Sequence, residues 1–422
     1  MCSSDLLARY LQRKHGGTPL VKPVFSRFRT HSWIECGPDM VGKPVYRGNI
    51  LIPYAAITRA MVRSAFLAAA DNLAACVETN GRFRYLYYPV EDRQVGGDYS
   101  LPRHAGALWM LYQAEAVEKS SNRLAAAERG LSFFLKQTGM GALPQTAFRQ
   151  NLYDLAIGLL AIMERRAVTG ATNLDQAAVR VADAIVRLQD ARGMFHYGYP
   201  VNPRLSPRKG VPYAPGEAML ALGKAHAVFG RPAWRGAVVR GMRFIVDEAW
   251  SFFGSRLFYG FYAWEMQVLA AHKDWLAGLE RFSFDQADSY LNYQYTDTTP
   301  ETRDLLGAFH ETVLRVPKAA HAGARGEGIV AAYRLAGQLG KTALEKRYKD
   351  SIRLAVSFIL NQQVREENSW YYPGWSWPWA RSGTCLHTTN SASTIPITAR
   401  RCSWRRTRTG CSADHSVPAS QL

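Results

Sequence analysis

The sequence predicts an all-α fold: an α/α toroid of five to six helix hairpins with short aromatic β-ribbon connections. Three observations predict it. One plan recurs in "YSLPRHAGALWMLYQAEAVEKSSNRLAAAERGLSFFLKQ", "YAPGEAMLALGKAHAVFGRPAWRGAVVRGMRFIVDE" and "GARGEGIVAAYRLAGQLGKTALEKRYKDSIRLAVSFILNQQ", with Tyr213 lying 114 residues after Tyr99 and Glu327 lying 110 after Glu217. Each copy pairs an apolar helix rich in small residues with a more charged one, which suits an inner and an outer layer. The connections repeat as well: "NGRFRYLYYP" and "ARGMFHYGYP" share Gly-x-Phe-x-Tyr and close on Tyr-Pro, with Phe83 and Phe195 112 residues apart.

In chain order, residues 1–54 read as an irregular lead-in, extended or β-rich from residue 15. "MCSSDL" matches the translation of a sequencing-adapter tail, so residues 1–6 are expected to be non-native. The toroid is assigned to residues 55–379, where residues 55–75 supply a further helix of either layer. Alternating aromatics flanked by Gly and Pro place the connections in tight ribbons rimming one end of the ring. "NSWYYPGW" at residues 368–375 reads as a third such connection. From residue 380 the periodicity stops, and the Arg-, Ser-, Thr- and Cys-rich end is expected to be a frameshifted reading or a disordered tail. If so, the ring is incomplete at its C-terminal end.

The charge balance narrows the partners. The chain carries 52 Lys+Arg against 34 Asp+Glu, a net +18, and dropping the six Arg and one Asp of residues 380–422 leaves +13. These charges are spread along helices, as a solvated surface requires, and the base-reading positions of an RNA-binding solenoid are not recognisable, so nucleic acid is not favoured. No run of eighteen apolar residues occurs, so no transmembrane segment is predicted. Of six cysteines, Cys2, Cys385, Cys402 and Cys411 fall in the two suspect ends. Cys36 and Cys76 have neither metal-ligand spacing nor a disulfide framework. No phosphate-binding loop, dinucleotide fingerprint or zincin motif is present, so no metal and no cofactor is predicted.

Over residues 55–375 the hairpin plan, the Gly-x-Phe-x-Tyr connections and the Tyr-x-x-x-Arg-His-Ala-Gly opening resemble the six-hairpin glycosidase-like superfamily. That resemblance implies carbohydrate processing, with hydrolysis ahead of lyase or epimerase chemistry; the compartment is left open, although sugar-processing toroids are often exported to the periplasm or beyond the cell. In such a ring, ligands approach the N-termini of the inner helices, where free N–H groups and the helix dipole meet the cavity. Pro102 and Pro215 suit the first turn of two such helices. Arg103 and His104, Glu217, and Glu327 are therefore expected to begin three inner helices at one end of one cavity.

The catalytic candidates are Asp98, Tyr99, His104, Glu217 and Glu327. Paired carboxyls serve glycosidic hydrolysis, whereas Tyr99 and His104 serve proton abstraction in a lyase or epimerase. Substrate-binding candidates are Arg103, whose guanidinium fits a substrate carboxylate, the ring-stacking Tyr87, Tyr197 and Tyr213, and Glu265 among its aromatic neighbours. Asp154, Asp285 and Asp288 stand behind these. The partner is then a glycan or polysaccharide with anionic, uronic-acid character, in keeping with the basic body. The competing reading is a non-catalytic helical-repeat protein that binds a polymer or protein; an open groove with dispersed groups marks it, and three or more acidic, His and Tyr side chains converging in one closed cavity mark the enzyme.

Overall fold

The computed structural model describes residues 32–35, 42–46, 49–88, 93–95, 99–141, 151–199, 201–202, 204, 213–249, 262–310 and 316–365. Asp98, Cys36, the suspected adapter, the connection at residues 368–375 and the chain from residue 380 lie outside the described residues.

Two antiparallel hairpins precede and interrupt the helices: β1 (Ser32–Glu35) with β2 (Gly42–Val45), and β3 (Leu86–Tyr88) with β4 (Arg93–Val95). The helices are α1 (Arg59–Ala75), α2 (Leu101–Val117), α3 (Ser121–Thr138), α4 (Leu152–Thr169), α5 (Asp175–Arg187), α6 (Ala214–Phe229), α7 (Pro232–Phe244), α8 (Ala263–Ala271), α9 (Glu280–Leu291), α10 (Ala319–Gln338) and α11 (Thr342–Gln362). Even-numbered helices pack side by side, α2 on α4, α4 on α6, α6 on α8 and α8 on α10. These form the inner layer, and the odd-numbered helices form the outer one. Helix α1, predicted for either layer, is outer: it packs on α2, α3 and α11. That last contact brings the two ends of the outer layer together. Asn361 Oδ1 accepts from Ile52 N–H at 2.7 Å, and Gln363 donates to Ala65 O at 3.1 Å.

Burial separates the layers as the composition does. In α4 every residue from Leu155 to Met163 is buried, the signature of a helix with protein on all sides. In α5 the buried residues are Ala177, Ala178, Val181, Ala182, Ala184 and Ile185, the 3–4 spacing of a one-sided helix. One continuous core, from Ala70 to Phe358, fills the space between layers.

The repeated connections have a shared physical cause. Gly81, Gly193 and Gly307 hold φ of 87°, 100° and 83°, in the left-handed region that side chains disfavour. Each also lies against the carbonyl of a neighbouring outer helix. A Cβ would stand 2.3 Å from Arg129 O, 2.3 Å from Arg240 O and 1.8 Å from Leu354 O. Two residues on, Phe83, Phe195 and Phe309 are buried and pair with Val77, Gln189 and Gln294 through single β-bridges. The Gln189 and Gln294 amides each donate to the turn glycine's carbonyl and to a carbonyl of the facing outer helix. Within the described residues the third Gly-x-Phe turn is thus Gly307-Ala308-Phe309, which lacks the Tyr that made the other two conspicuous. The first connection continues into the β3–β4 ribbon; among the described residues the second forms isolated bridges, Gln189 with Phe195 and Asn151 with Gly198.

Candidate active site

A cavity of about 1230 Å³ is lined by side chains from all five inner helices. Its wall is arranged in tiers. Arg103, Glu217 and Glu327 line it from α2, α6 and α10, joined by Tyr153 and Tyr213. Met110, Lys224 and Arg334 each follow by seven residues, two turns or about 10 Å along the axis. The first tier is acidic and the second is cationic.

Glu217 stands in the first turn of α6, with Pro215 before it and Tyr213 as the preceding cap. Tyr213 takes φ 65° and ψ −56°, the only non-glycine positive φ among the described residues, a conformation maintained only where surroundings enforce it. A helix N-terminus favours an ionised carboxylate, yet burial wins here. Loss of water, followed by the like charge of Glu327, pushes Glu217 up to about 7. Glu327 is also pushed up to about 7 by burial, with the Gln267 amide working in the opposite direction. The Glu327 side chain is exposed on the cavity wall, whereas that of Glu217 is half-buried. Glu327 does not begin its helix. Nothing in the Ala- and Gly-rich run from Ala319 breaks helical structure, so α10 starts eight residues earlier, just after Pro317 and Lys318.

Glu265, predicted to bind substrate, sits behind this wall rather than on it. It is 2% exposed, and its carboxyl packs onto Gly216, the residue before Glu217. A Cβ at Gly216 would lie 2.7 Å from both Cδ and Oε2 of Glu265. Burial, reinforced by the charge of Glu217, pushes Glu265 up to about 8. Three consecutive inner helices thus bring three carboxyls with raised proton affinity together, two facing the cavity and one sealed. No group of three or more His, Cys, Asp and Glu among the described residues is arranged to hold a metal ion.

His104 and Tyr99 face the other way. The Tyr99 hydroxyl accepts from Phe83 N–H at 2.9 Å and lies 2.7 Å from His104 Nδ1. His104 Nε2 is 2.9 Å from Gly130 O. A carbonyl only accepts, so Nε2 carries the proton and Nδ1 accepts from the Tyr99 O–H. The imidazole is buried among Phe83, Phe133 and Phe134, and that burial pushes it down to about 4. Both ring nitrogens are occupied and the ring is neutral at pH 7. The expectation that His104 opens into the cavity is corrected by helix geometry: successive residues are about 100° apart, so Arg103 faces inward and His104 faces α3.

The other candidates divide similarly. Arg103 lines the cavity and donates to the Tyr85 hydroxyl at 2.7 Å. Tyr213 lines it; Tyr197 is 59% exposed and Tyr87 lies on β3, both outside the lining. Asp154 is buried and capped by Asn151, Asp285 is an exposed partner of Arg281, and Asp288 is held by Arg347 and Tyr348. The sequence reading missed Trp109, Tyr153, Lys224, Trp264, Gln267 and Arg334. For Lys224 and Arg334 the usable signal was the seven-residue offset from Glu217 and Glu327.

No family model matches the sequence, and no curated protein matches it. Solved structures match the fold. The chain has the fold of the six-hairpin glycosidase-like toroids. It is similar to an unsaturated glucuronyl hydrolase from Streptococcus agalactiae at 13% identity and TM-score 0.55, covering 78% of this chain and 84% of that one. A cellobiose 2-epimerase from Spirochaeta thermophila gives 16% and 0.52, covering 74% and 88%. A sugar epimerase from a ruminal bacterium gives 12% and 0.53, covering 73% and 87%.

Proposed function

We propose that the protein is a carbohydrate-processing enzyme, a hydrolase of glycans with anionic, uronic-acid character, using Glu217 and Glu327 as its acid/base pair. The observation that carries this is the pair itself: two carboxyls on inner helices facing one cavity, each with a raised proton affinity. Because the two oppose each other's ionisation, one holds a proton near neutral pH while the other is charged. Protonating a leaving glycosidic oxygen and activating water, or attacking the sugar carbon, require that division. Tyr153, Tyr213 and the indoles of Trp109 and Trp264 supply faces for sugar rings. Arg103 supplies charge for a substrate carboxylate.

The fold neighbours named as glucuronyl hydrolases agree with this reading, and those named as epimerases mark the alternative. The sealed, neutral His104 weighs against proton abstraction by that residue. Convergence of acids and aromatics in one cavity weighs against a purely binding role.

The test is reducing-end release from uronic-acid-containing oligosaccharides. The wild type is expected to be active, with kcat falling as pH rises through about 7, where the last carboxyl proton leaves the pair. Glu217→Gln and Glu327→Gln should each lose about 10²- to 10⁴-fold in kcat with melting temperature unchanged. Retained activity in both variants would falsify the assignment.

A further inference from the structure

One side-chain contact crosses the cavity between its two tiers. Trp109 lies six residues beyond Arg103 and one before Met110, near the cationic level, while its partner Trp264 packs beside Gly216, near the acidic one. Trp109 is held from three other helices. Its indole N–H donates to Glu164 Oε2 on α4 at 3.0 Å. The same carboxylate oxygen accepts from Lys224 Nζ on α6 at 2.6 Å, and that ammonium lies 5.9 Å from the indole centroid. On its other side the indole meets Trp264 on α8, with ring centroids 5.3 Å apart at 32°. Helices α2 and α8 are not neighbours in the inner layer, so the Trp109–Trp264 contact crosses the ring. Ile157 and Leu220 add apolar surface to the cavity wall.

We propose that Trp109, fixed by Glu164 and Trp264, is the floor of the acidic tier and restricts cleavage to the terminal sugar of a glycan. This inference rests on the reading of the cavity as a glycan-hydrolysing site. With the floor in place, a chain entering from the acid end has room for one sugar beyond the bond between Glu217 and Glu327. Its remainder stays outside the mouth. On the far side of that floor, Gln113, Arg334 and Gln338 give the same cavity a polar lining. Trp109 is therefore a specificity residue. It neither donates nor takes the catalytic proton.

The experiment is product analysis on a uronic-acid-containing hexasaccharide. The wild type is expected to release single sugars from one end. Trp109→Ala joins the tiers, and disaccharide is expected as a major product, because a second sugar then reaches the level of Lys224. Trp109→Phe, which keeps an aromatic floor but loses the N–H bond to Glu164, should still release single sugars. If the alanine variant unfolds, Trp109→Leu asks the same question while keeping apolar contact with Trp264. Single-sugar release by wild type, Trp109→Ala and Trp109→Leu alike overturns the floor and leaves the acid pair standing. Release of longer fragments by the wild type also overturns it. A folded wild type with no activity on any oligosaccharide overturns the floor and the hydrolase reading together.

Discussion

Glu265 offers the most direct test of the electrostatics, because it is sealed from water and touches no substrate. Its proton affinity rises from the ordinary 4.5 to about 8 on folding. The folded chain holds this proton more tightly than the unfolded chain does. The associated stability is fully present below pH 4.5 and is lost as pH rises through about 8. At about 1.4 kcal/mol per pH unit, the ceiling on that loss is about 5 kcal/mol, and structural relaxation makes half of it a fair expectation. Glu265→Gln keeps the shape and cannot ionise. Urea unfolding followed by circular dichroism at pH 5, 7 and 9 should show the variant gaining on the wild type by about 2–4 kcal/mol between the extremes. Similar m-values would confirm that the comparison is between like states. A stability difference that stays flat from pH 5 to pH 9 would refute the argument, since it would mean that water or a hydrogen bond already satisfies the charge.

Two further outcomes follow from packing. Tyr99→Phe removes the hydroxyl shared by Phe83 N–H and His104 Nδ1, and should cost about 1–3 kcal/mol in chemical denaturation while leaving kcat unchanged. A kcat loss comparable to that of the Glu217 variant would return Tyr99 to the chemistry. Gly307→Ala combines a positive φ with a clash against Leu354 O, so a loss exceeding about 1 kcal/mol is expected, read as a lowered melting temperature. Gly278→Ala, also at positive φ but with open space around it, should cost less.

The ring was legible in the sequence because its layers impose different burial, and burial dictates composition: α4 is apolar around its whole circumference and α5 along one face. The equivalence of Arg103, Glu217 and Glu327 was legible as well, through spacings of 114 and 110 residues. Which way a neighbouring residue points was harder. Arg103 and His104 are adjacent in sequence and both polar, and only the presence of α3 with its Gly130 carbonyl makes one a core residue and the other a cavity residue. The start of α10 was misplaced because Glu327 resembles Glu217, whose helix begins with Pro215, while the run from Ala319 lacks any comparable punctuation. The third turn was missed because Gly307 and Phe309 carry the structural requirement and the absent tyrosine does not. Trp109 could not be found at all from local pattern, since its partners Glu164, Lys224 and Trp264 come from three other helices.

Among the described residues the Gly-x-Phe turns occur at alternate hairpins, and each clasps two outer helices together. The turn after α1 seats on α3, the turn after α5 on α7, and the turn after α9 on α11, each glycine pressed to a helix carbonyl. Among the described residues, α3 with α5 and α7 with α9 have no equivalent clasp. The wheel thus carries three braced sectors, with Arg103 in the first, Glu217 in the second and Glu327 in the third. The separation of the two carboxyls is a distance between sectors, set by α8, which packs on α6 on one side and α10 on the other.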